Sequence, residues 1–157
     1  MMEERSGTVP RACRAALALA GLGVATYLSV SYVTGQAPAC GSIVSGCAQV
    51  TTSAYARFLG APVAVLGLAI FALLLLGSLA ALAYPARSAP LSVALTVVSG
   101  GGVLFSLYLT AVELFILHAV CVWCATSALL VTGIFALSLT EAVAAGKSAR
   151  AGGATGV

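Results

Sequence analysis

Cys121-Val122-Trp123-Cys124 opens an apolar run that continues to about Ala144. A run of about 20 apolar residues is long enough to cross the hydrocarbon core of a bilayer as a helix. Two thiols three residues apart at the start of a helix share one face, and the positive end of the helix dipole favours the thiolate there. Because the thiolate is the reactive form of cysteine, the stretch predicts a membrane-spanning helix that begins with a redox-active pair.

The composition of the whole chain predicts the same class of protein. Of its 157 residues, 61% are hydrophobic and 7% are charged. Seven basic and four acidic side chains cannot cover the surface of a soluble domain of this length. The net charge of +3 is too small and too scattered for nucleic-acid binding. We therefore expect an all-α integral membrane protein without a nucleic-acid partner.

Three more apolar runs lie upstream of this stretch, so the sequence predicts four spans. The third run contains Ser99-Gly100-Gly101-Gly102. Such small side chains would let another helix approach its backbone closely. Pro62 suits the first turn of the second span, where its missing N–H leaves no hydrogen bond unmade. We expect a single domain over residues 1–157, a bundle of four transmembrane helices. The predicted spans are residues 15–34, 62–84, 91–117 and 121–144.

The segment between the first two spans, residues 35–61, is predicted to be an outer loop that carries a second cysteine pair, Cys40 and Cys47. Glycine and proline interrupt the apolar pattern there. The stretch between the two cysteines is flanked by glycines, so it can reach outward and fold back. Beyond Cys47, apolar residues at helical spacing predict a short amphipathic helix at the membrane interface. These residues are Val50, Ala54, Tyr55 and Phe58.

Basic residues predict the orientation of the bundle. Four spans place both termini on one side, and six of the seven basic residues fall on that side, with Arg57 alone on the other. This asymmetry predicts cytoplasmic termini in a cell membrane. Both cysteine pairs then face outward, toward the oxidising side where disulfides persist. The fifth cysteine, Cys13, falls on the reducing side, where we expect an inert thiol.

The cysteine pairs leave three classes of function open. Cys121 and Cys124 could form a static disulfide or be two small core residues, and Cys40 and Cys47 could staple a loop. A zinc site would need all four cysteines held rigidly, which the long stretch inside the outer pair disfavours. A mobile dithiol suits thiol–disulfide exchange, because exchange passes through a mixed disulfide. The alternatives to a thiol oxidase are a soft-metal transporter with thiol ligands and a structural membrane bundle with inert disulfides.

A membrane-embedded dithiol that is oxidised needs an electron acceptor. The chain has one histidine, and it has neither a dinucleotide-binding fingerprint nor the cysteine spacing of an iron–sulfur site. By elimination, we expect a lipid-soluble quinone that enters from the bilayer, and no metal. Glu113, near the outer end of the third span, is a candidate proton donor to the reduced quinone. The alternative is a side chain that snorkels to the interface.

The order of the two cysteine pairs along the chain resembles that of the vitamin K epoxide reductase family. In the DsbB type of quinone-linked thiol oxidase the order is reversed, with the C-x-x-C pair in the first outer loop. The resemblance extends from the first span to the fourth. It is carried by Cys40, Cys47, Val50, Ser53, Tyr55, Phe58, Gly60, Pro62, Gly67, Tyr108-Leu109, Cys121-Val122-Trp123-Cys124 and Ser127.

The resemblance implies a relay of electrons through a four-helix bundle that surrounds a quinone. A partner with a thioredoxin-like fold, similar to DsbA, would attack Cys40 with its reduced thiol. Cys47 would pass the electrons to Cys121, and Cys124 would reduce the quinone, either menaquinone or ubiquinone. The relay would support disulfide formation in exported proteins. Since no thioredoxin domain follows the fourth span, we expect the partner to be a separate polypeptide.

The resemblance also implies quinone contacts. Ser53 would lie near the quinone ring, Tyr55 and Phe58 would help to wall the pocket, and Ala128 would lie against it. Animal members of the family have a tyrosine at the position of Ala128, and many members have an asparagine near Val63. Each departure removes a hydrogen bond to a quinone carbonyl, although simple quinone reduction does not obviously need either bond.

Overall fold

Four long helices form the bulk of the computed structural model, which describes residues 2–40, 46–58 and 60–154. Each lies in a stretch that is long and apolar enough to cross a membrane. The prediction of an all-α membrane bundle with four spanning helices is therefore confirmed. The long helices are α1 (Met2–Thr34), α3 (Val63–Ala83), α4 (Ser88–Val112) and α5 (Val122–Ala154), and a short helix, α2 (Cys47–Thr52), lies in the first loop.

The first and last helices extend beyond the apolar runs that predicted them. α1 and α5 contain 33 residues each. At 1.5 Å per residue such a helix is about 50 Å long, whereas the hydrocarbon core is about 30 Å thick. The extensions are rich in Ala, Glu, Arg and Lys, which favour helix, so hydropathy marks where the apolar part ends and not where the helix ends.

Small residues allow the helices to pack closely around one core. α1 lies against α3 and α5, and α4 lies against α5 and α3. A Cβ on Gly102 would come within 2.9 Å of Val131, so the predicted close approach of the glycine-rich run is realised against α5. A Cβ on Gly21 would overlap the ring of Phe71. The core residues are Ala18, Ala25, Phe71, Leu74, Leu95, Val131 and Ile134.

The end of the bundle that carries both chain termini has a buried polar cluster. The Arg14 side chain is fully buried; its Nη1 donates to Glu141 Oε2 at 2.9 Å, and its Nε donates to Ser78 Oγ at 3.2 Å. Ser92 Oγ also donates to Glu141 Oε2, at 2.9 Å. Each long helix contributes a member, so the cluster ties all four together. We call this the arginine end, defined by Arg11, Arg14, Ser78, Ser92, Ser138 and Glu141.

The first loop contains less helix than its apolar spacing predicted. α2 ends at Thr52 and is followed by a 3₁₀ turn, Ala54–Ala56. The predicted helical position Phe58 instead lies in an antiparallel pair, β1 (Arg57–Phe58) with β2 (Ala61–Pro62). The helix stops because hydroxyl side chains compete for its carbonyls: Ser53 Oγ, just past its end, donates to Val50 O at 2.8 Å.

A glycine makes the turn between these two strands. Gly60 has a φ of +84°, a conformation that glycine adopts without strain. The pairing leads the chain directly from Pro62 into α3. Pro62 itself ends β2 and is the N-cap residue of α3, one position before the first helical turn in which we expect it from the sequence. Residues 41–45, the stretch that we expect to reach outward between the outer cysteines, lie outside the described residues.

Candidate redox site at the cysteine end

The outer cysteine pair is closed. Cys40 and Cys47 form a disulfide with their Cα atoms 6.1 Å apart. Cys47 begins α2 and is 1% exposed, whereas Cys40 is partly exposed. α2 is held to the turn that follows α4, Glu113–Leu117, by Gln49, whose Nε2 donates to Leu117 O at 3.1 Å. A reagent from solution therefore reaches the outer pair through Cys40.

The inner pair is open and sits at the start of α5. Cys121 is fully buried and Cys124 is partly buried, and both are free thiols. Ala125 N–H donates to Cys121 O at 3.0 Å, which makes Cys121 the N-cap residue of the helix. The sequence predicts the C-x-x-C pair at the start of a spanning helix, and the structure has it there, with Cys124 on the first turn of α5.

A direct backbone contact brings the two cysteine pairs together. A Cβ on Gly46 would lie 2.8 Å from Val120 N, so only the hydrogen of a glycine fits there. Cys47 follows Gly46 and Cys121 follows Val120 in the chain. Cys47 and Cys121, the buried members of the two pairs, are thus the residues next to this contact, and neither is open to solvent.

Trp123, inside the C-x-x-C stretch, fixes the segment that leads into Cys40. Its Nε1 donates to Ala39 O at 3.0 Å, while Ala39 N–H donates to the Tyr27 hydroxyl at 2.9 Å. The rings of Trp123 and Tyr27 pack at a centroid distance of 4.8 Å. Sequence reasoning missed this role of Trp123. The only local signal is the tryptophan between the two cysteines, and its partner is a main-chain carbonyl far upstream.

Glu113 lies between the end of α4 and the inner cysteine pair. Residues Glu113–Leu117 form a π-helical turn, and His118, with a φ of +48°, reverses the chain toward α5. Glu113 is 5% exposed, and its Oε2 accepts a hydrogen bond from Cys121 N–H at 3.1 Å. The Cys124 side chain lies close to this carboxyl as well. Glu113 is therefore placed beside the inner pair and does not snorkel to water.

A cavity of about 1040 Å³ opens beside Cys124. Ligand pockets in proteins typically measure about 300–1,000 Å³, so the space is sufficient for a substituted ring and part of an isoprenoid tail. Most of its wall is apolar, and its polar groups are several hydroxyls, the Glu113 carboxyl, the Gln36 amide and the Arg57 guanidinium. Wall residues that bear on the chemistry are Glu113, Cys124, Ser127, Ser53, Tyr55 and Phe105.

Two of the four predicted quinone contacts line this cavity. Ser53 and Tyr55 are on its wall, at the start of the 3₁₀ turn that follows α2. Phe58 and Ala128 are not among the described residues that line it. Phe58 packs edge-on against a phenylalanine of the wall, with ring centroids 5.4 Å apart. On α5 the wall position is taken by Ser127, one residue before Ala128.

Cys13 takes no part in this constellation. It is exposed on α1, next to the buried Arg14 of the arginine end, and its thiol is free. Within residues 2–40, 46–58 and 60–154, no three His, Cys, Asp or Glu side chains are grouped so that they could hold a metal ion. The described residues at this site bring together thiols, a carboxyl and a cavity.

The family comparison covers all of these groups. The chain matches the model described as "Vitamin K epoxide reductase family" over residues 12–139. The matched range contains both cysteine pairs, Glu113 and every residue named above as lining the cavity. No curated protein matches the chain.

Proposed function

Since its match over residues 12–139 shows that the chain belongs to the vitamin K epoxide reductase family, we propose that it is a quinone-dependent disulfide oxidase. Family membership makes it a multi-pass membrane oxidoreductase of the disulfide-relay type. The proposal adds the direction of electron flow, the thiol partner and the acceptor. Its physical basis is the arrangement at the cysteine end of the bundle, where Cys40, Cys47, Cys121 and Cys124 lie.

Electrons enter at Cys40 because it is the accessible sulfur of the outer pair. A thiolate of the partner attacks Cys40, the bond to Cys47 breaks, and a mixed disulfide forms. The second thiol of the partner then attacks this mixed disulfide. The partner leaves oxidised, and the outer pair is left with two thiols. A thioredoxin-fold protein similar to DsbA supplies such a dithiol.

The observation that carries the proposal is the burial of the two cysteines on either side of the Gly46 contact. Cys47 is 1% exposed and Cys121 is 0% exposed. Neither can exchange with a thiol in solution, because exchange requires access to the sulfur. Each can exchange with the other. Cys47 attacks the oxidised inner pair at Cys121, and Cys40 then closes the outer disulfide again, which leaves two inner thiols.

The inner thiols pass their two electrons to a quinone in the cavity. Cys124 is the cysteine on the cavity wall, so it is the sulfur that faces the quinone ring. Apolar walls with a few hydroxyl groups suit a ring that carries two carbonyls and an isoprenoid tail. The inner disulfide re-forms as the quinone becomes a quinol, and the cycle can start again.

The basic residues orient this relay in the membrane. Arg11 and Arg14 belong to the arginine end, as does the chain after Glu141 that leads to Lys147. By the positive-inside rule this end is cytoplasmic, and the cysteine end faces outward. The thiol partner is therefore an exported protein, and the products of the relay are disulfides in exported proteins.

Purified protein supplied with a reduced DsbA-like protein and a short-chain quinone, under anaerobic conditions, tests the proposal. We expect the wild type and Cys13→Ala to reduce quinone at equal rates, with Cys13→Ala as the matched control. Replacing any one of Cys40, Cys47, Cys121 and Cys124 by Ala should abolish turnover, because each is one link in a series. Quinone reduction that survives Cys124→Ala would contradict the proposed exit of electrons.

A further inference from the structure

Glu113 is a buried carboxyl without a cationic partner in the described part of the chain. Its side chain is 5% exposed, and the ion pairs of the described residues all involve Glu141. An ionisable side chain inside a membrane span is costly unless it is neutral or paired. The neighbours of the Glu113 carboxyl are a main-chain N–H and a thiol. A carboxyl in this setting is suited to gain and lose a proton.

The backbone holds this carboxyl in one orientation. Oε2 accepts the Cys121 N–H at 3.1 Å, eight residues further along the chain. This contact depends on the wide π-helical turn and on the left-handed His118, which bring the start of α5 back over Glu113. Such widened turns inside helices are frequent at functional sites. The reversal of the chain thus holds the Glu113 carboxyl beside the inner cysteine pair.

Glu113 and Cys124 also share a wall of the cavity. Both line the space that we assign to the quinone, and the thiol lies close to the carboxyl. A proton can therefore pass from sulfur to carboxylate, and from carboxylic acid to a group in the cavity, without leaving this wall. A general acid or base must have that reach to the atoms whose proton it moves.

We propose that Glu113 is the catalytic acid–base of quinone reduction, an inference that rests on the proposed function. Its carboxylate takes the proton of the Cys124 thiol, and the resulting acid gives that proton to a quinone oxygen. The Cys121 thiol gives up the second proton through the regenerated carboxylate. Two S–H bonds break, and one S–S bond and two O–H bonds form. Two electrons move from the sulfurs to the quinone.

The simpler role for Glu113 would be that of a cap for α5 alone. Glu113→Gln separates the two roles, because the amide oxygen can still accept the Cys121 N–H but cannot carry the proton. With dithiothreitol as reductant and a short-chain quinone as acceptor, we expect Glu113→Gln to lower kcat about 100-fold, within the usual range for general acid–base catalysis. The KM for dithiothreitol should not change. Glu113→Asp, which keeps a carboxyl, should retain more activity than Glu113→Gln.

A half-reaction without quinone is the control. Dithiothreitol should reduce the cysteines of Glu113→Gln as fast as those of the wild type, as followed by thiol alkylation and mass spectrometry. A kcat in Glu113→Gln within twofold of the wild type would overturn the role of Glu113, and so would equal slowing of both half-reactions. Should Glu113→Gln not fold, Glu113→Asp decides, because its shorter side chain withdraws the carboxyl from the cavity. It should slow quinone reduction and leave the reduction of the cysteines unchanged, and equal rates for the wild type and Glu113→Asp in both half-reactions would overturn the role. A wild type that does not reduce quinone would instead overturn the proposed function.

Discussion

Glu113 and Glu141 lie near opposite ends of the bundle, and the protein surrounds these two carboxyl groups in opposite ways. Glu141, at the arginine end, accepts hydrogen bonds from Arg14 and Ser92, both at 2.9 Å. Glu113, at the cysteine end, accepts a main-chain N–H and lies beside a thiol. Protonating Glu141 would leave a fully buried guanidinium without its counter-charge. Protonating Glu113 leaves no such charge behind.

The difference separates a structural end of the molecule from a reactive one. At the arginine end, side chains of all four long helices meet in one hydrogen-bonded cluster, which fixes the helices relative to one another. At the cysteine end, the helices surround a cavity, and the reactive sulfurs lie in the first loop and at the starts of α2 and α5. We therefore expect substitutions at the arginine end to change stability, and substitutions at the cysteine end to change rates.

The largest effect should come from Arg14→Met, which removes the ion pair to Glu141 and so tests whether the arginine end serves stability. Removing one partner of a buried ion pair typically costs about 3–5 kcal/mol. Arg11 Nε, 3.7 Å from Glu141 Oε1, still compensates part of the Glu141 charge, so the loss should lie at the lower end of that range. We expect a loss of that order in the free energy of unfolding, measured by denaturant titration in detergent. The rate of quinone reduction per folded molecule should not change.

The matched control for Arg14→Met is the double variant Arg14→Met/Glu141→Leu. It removes both charges of the pair, so most of the lost stability should return. A double variant as unstable as the single one would show that the pair is not what fixes this end. A changed rate per folded molecule in Arg14→Met would break the separation between the two ends.

A smaller effect is expected from Gly46→Ala, which tests whether the close contact at the cysteine end serves the transfer of electrons. The added Cβ would come within 2.8 Å of the Val120 nitrogen, so the start of α2 must move away from α5. A displacement of about 1 Å between reacting groups can slow a reaction by about 10²-fold. We expect the rate of electron transfer from the outer to the inner cysteine pair to fall by this factor, as measured by rapid quenched flow followed by thiol alkylation.

Gly101→Ala provides the control for this prediction. Gly101 has open space around its Cα, so the same added methyl group meets nothing there. Its transfer rate should equal that of the wild type. The first step, attack of the partner on Cys40, should remain fast in Gly46→Ala. Equal slowing of both steps would mean that the contact serves the fold and not the relay.

The spans and the cysteine pairs could be predicted from the sequence because both signals are local. A run of apolar residues predicts a span wherever it occurs, and two cysteines three residues apart share a helix face in any fold. Glu113 could be singled out because an ionisable side chain within a span is unusual. Its contact with Cys121 could not, since it depends on a π-helical turn and on the left-handed His118.

Features that join distant parts of the chain could not be predicted. The pair of Arg14 and Glu141 spans 127 positions, and the bond from Trp123 to Ala39 spans 84. Nothing near either residue indicates its partner. Phe58 shows a different limit: its spacing favours a helix, but hydroxyl side chains end α2 at Thr52 and a glycine turn follows. Local competition for backbone hydrogen bonds outweighed the apolar pattern.

The central claim is that electrons cross between the pairs from Cys47 to Cys121, and one cross-link tests it most directly. In a variant with Cys13, Cys40 and Cys124 replaced by Ala, only these two cysteines remain. After mild oxidation with diamide, we expect peptides that contain Cys47 and Cys121 to be joined by a disulfide in mass spectrometry under non-reducing conditions. Two free thiols in the folded variant, at an oxidant concentration at which a small alkylating reagent also reaches both cysteines, would contradict the relay.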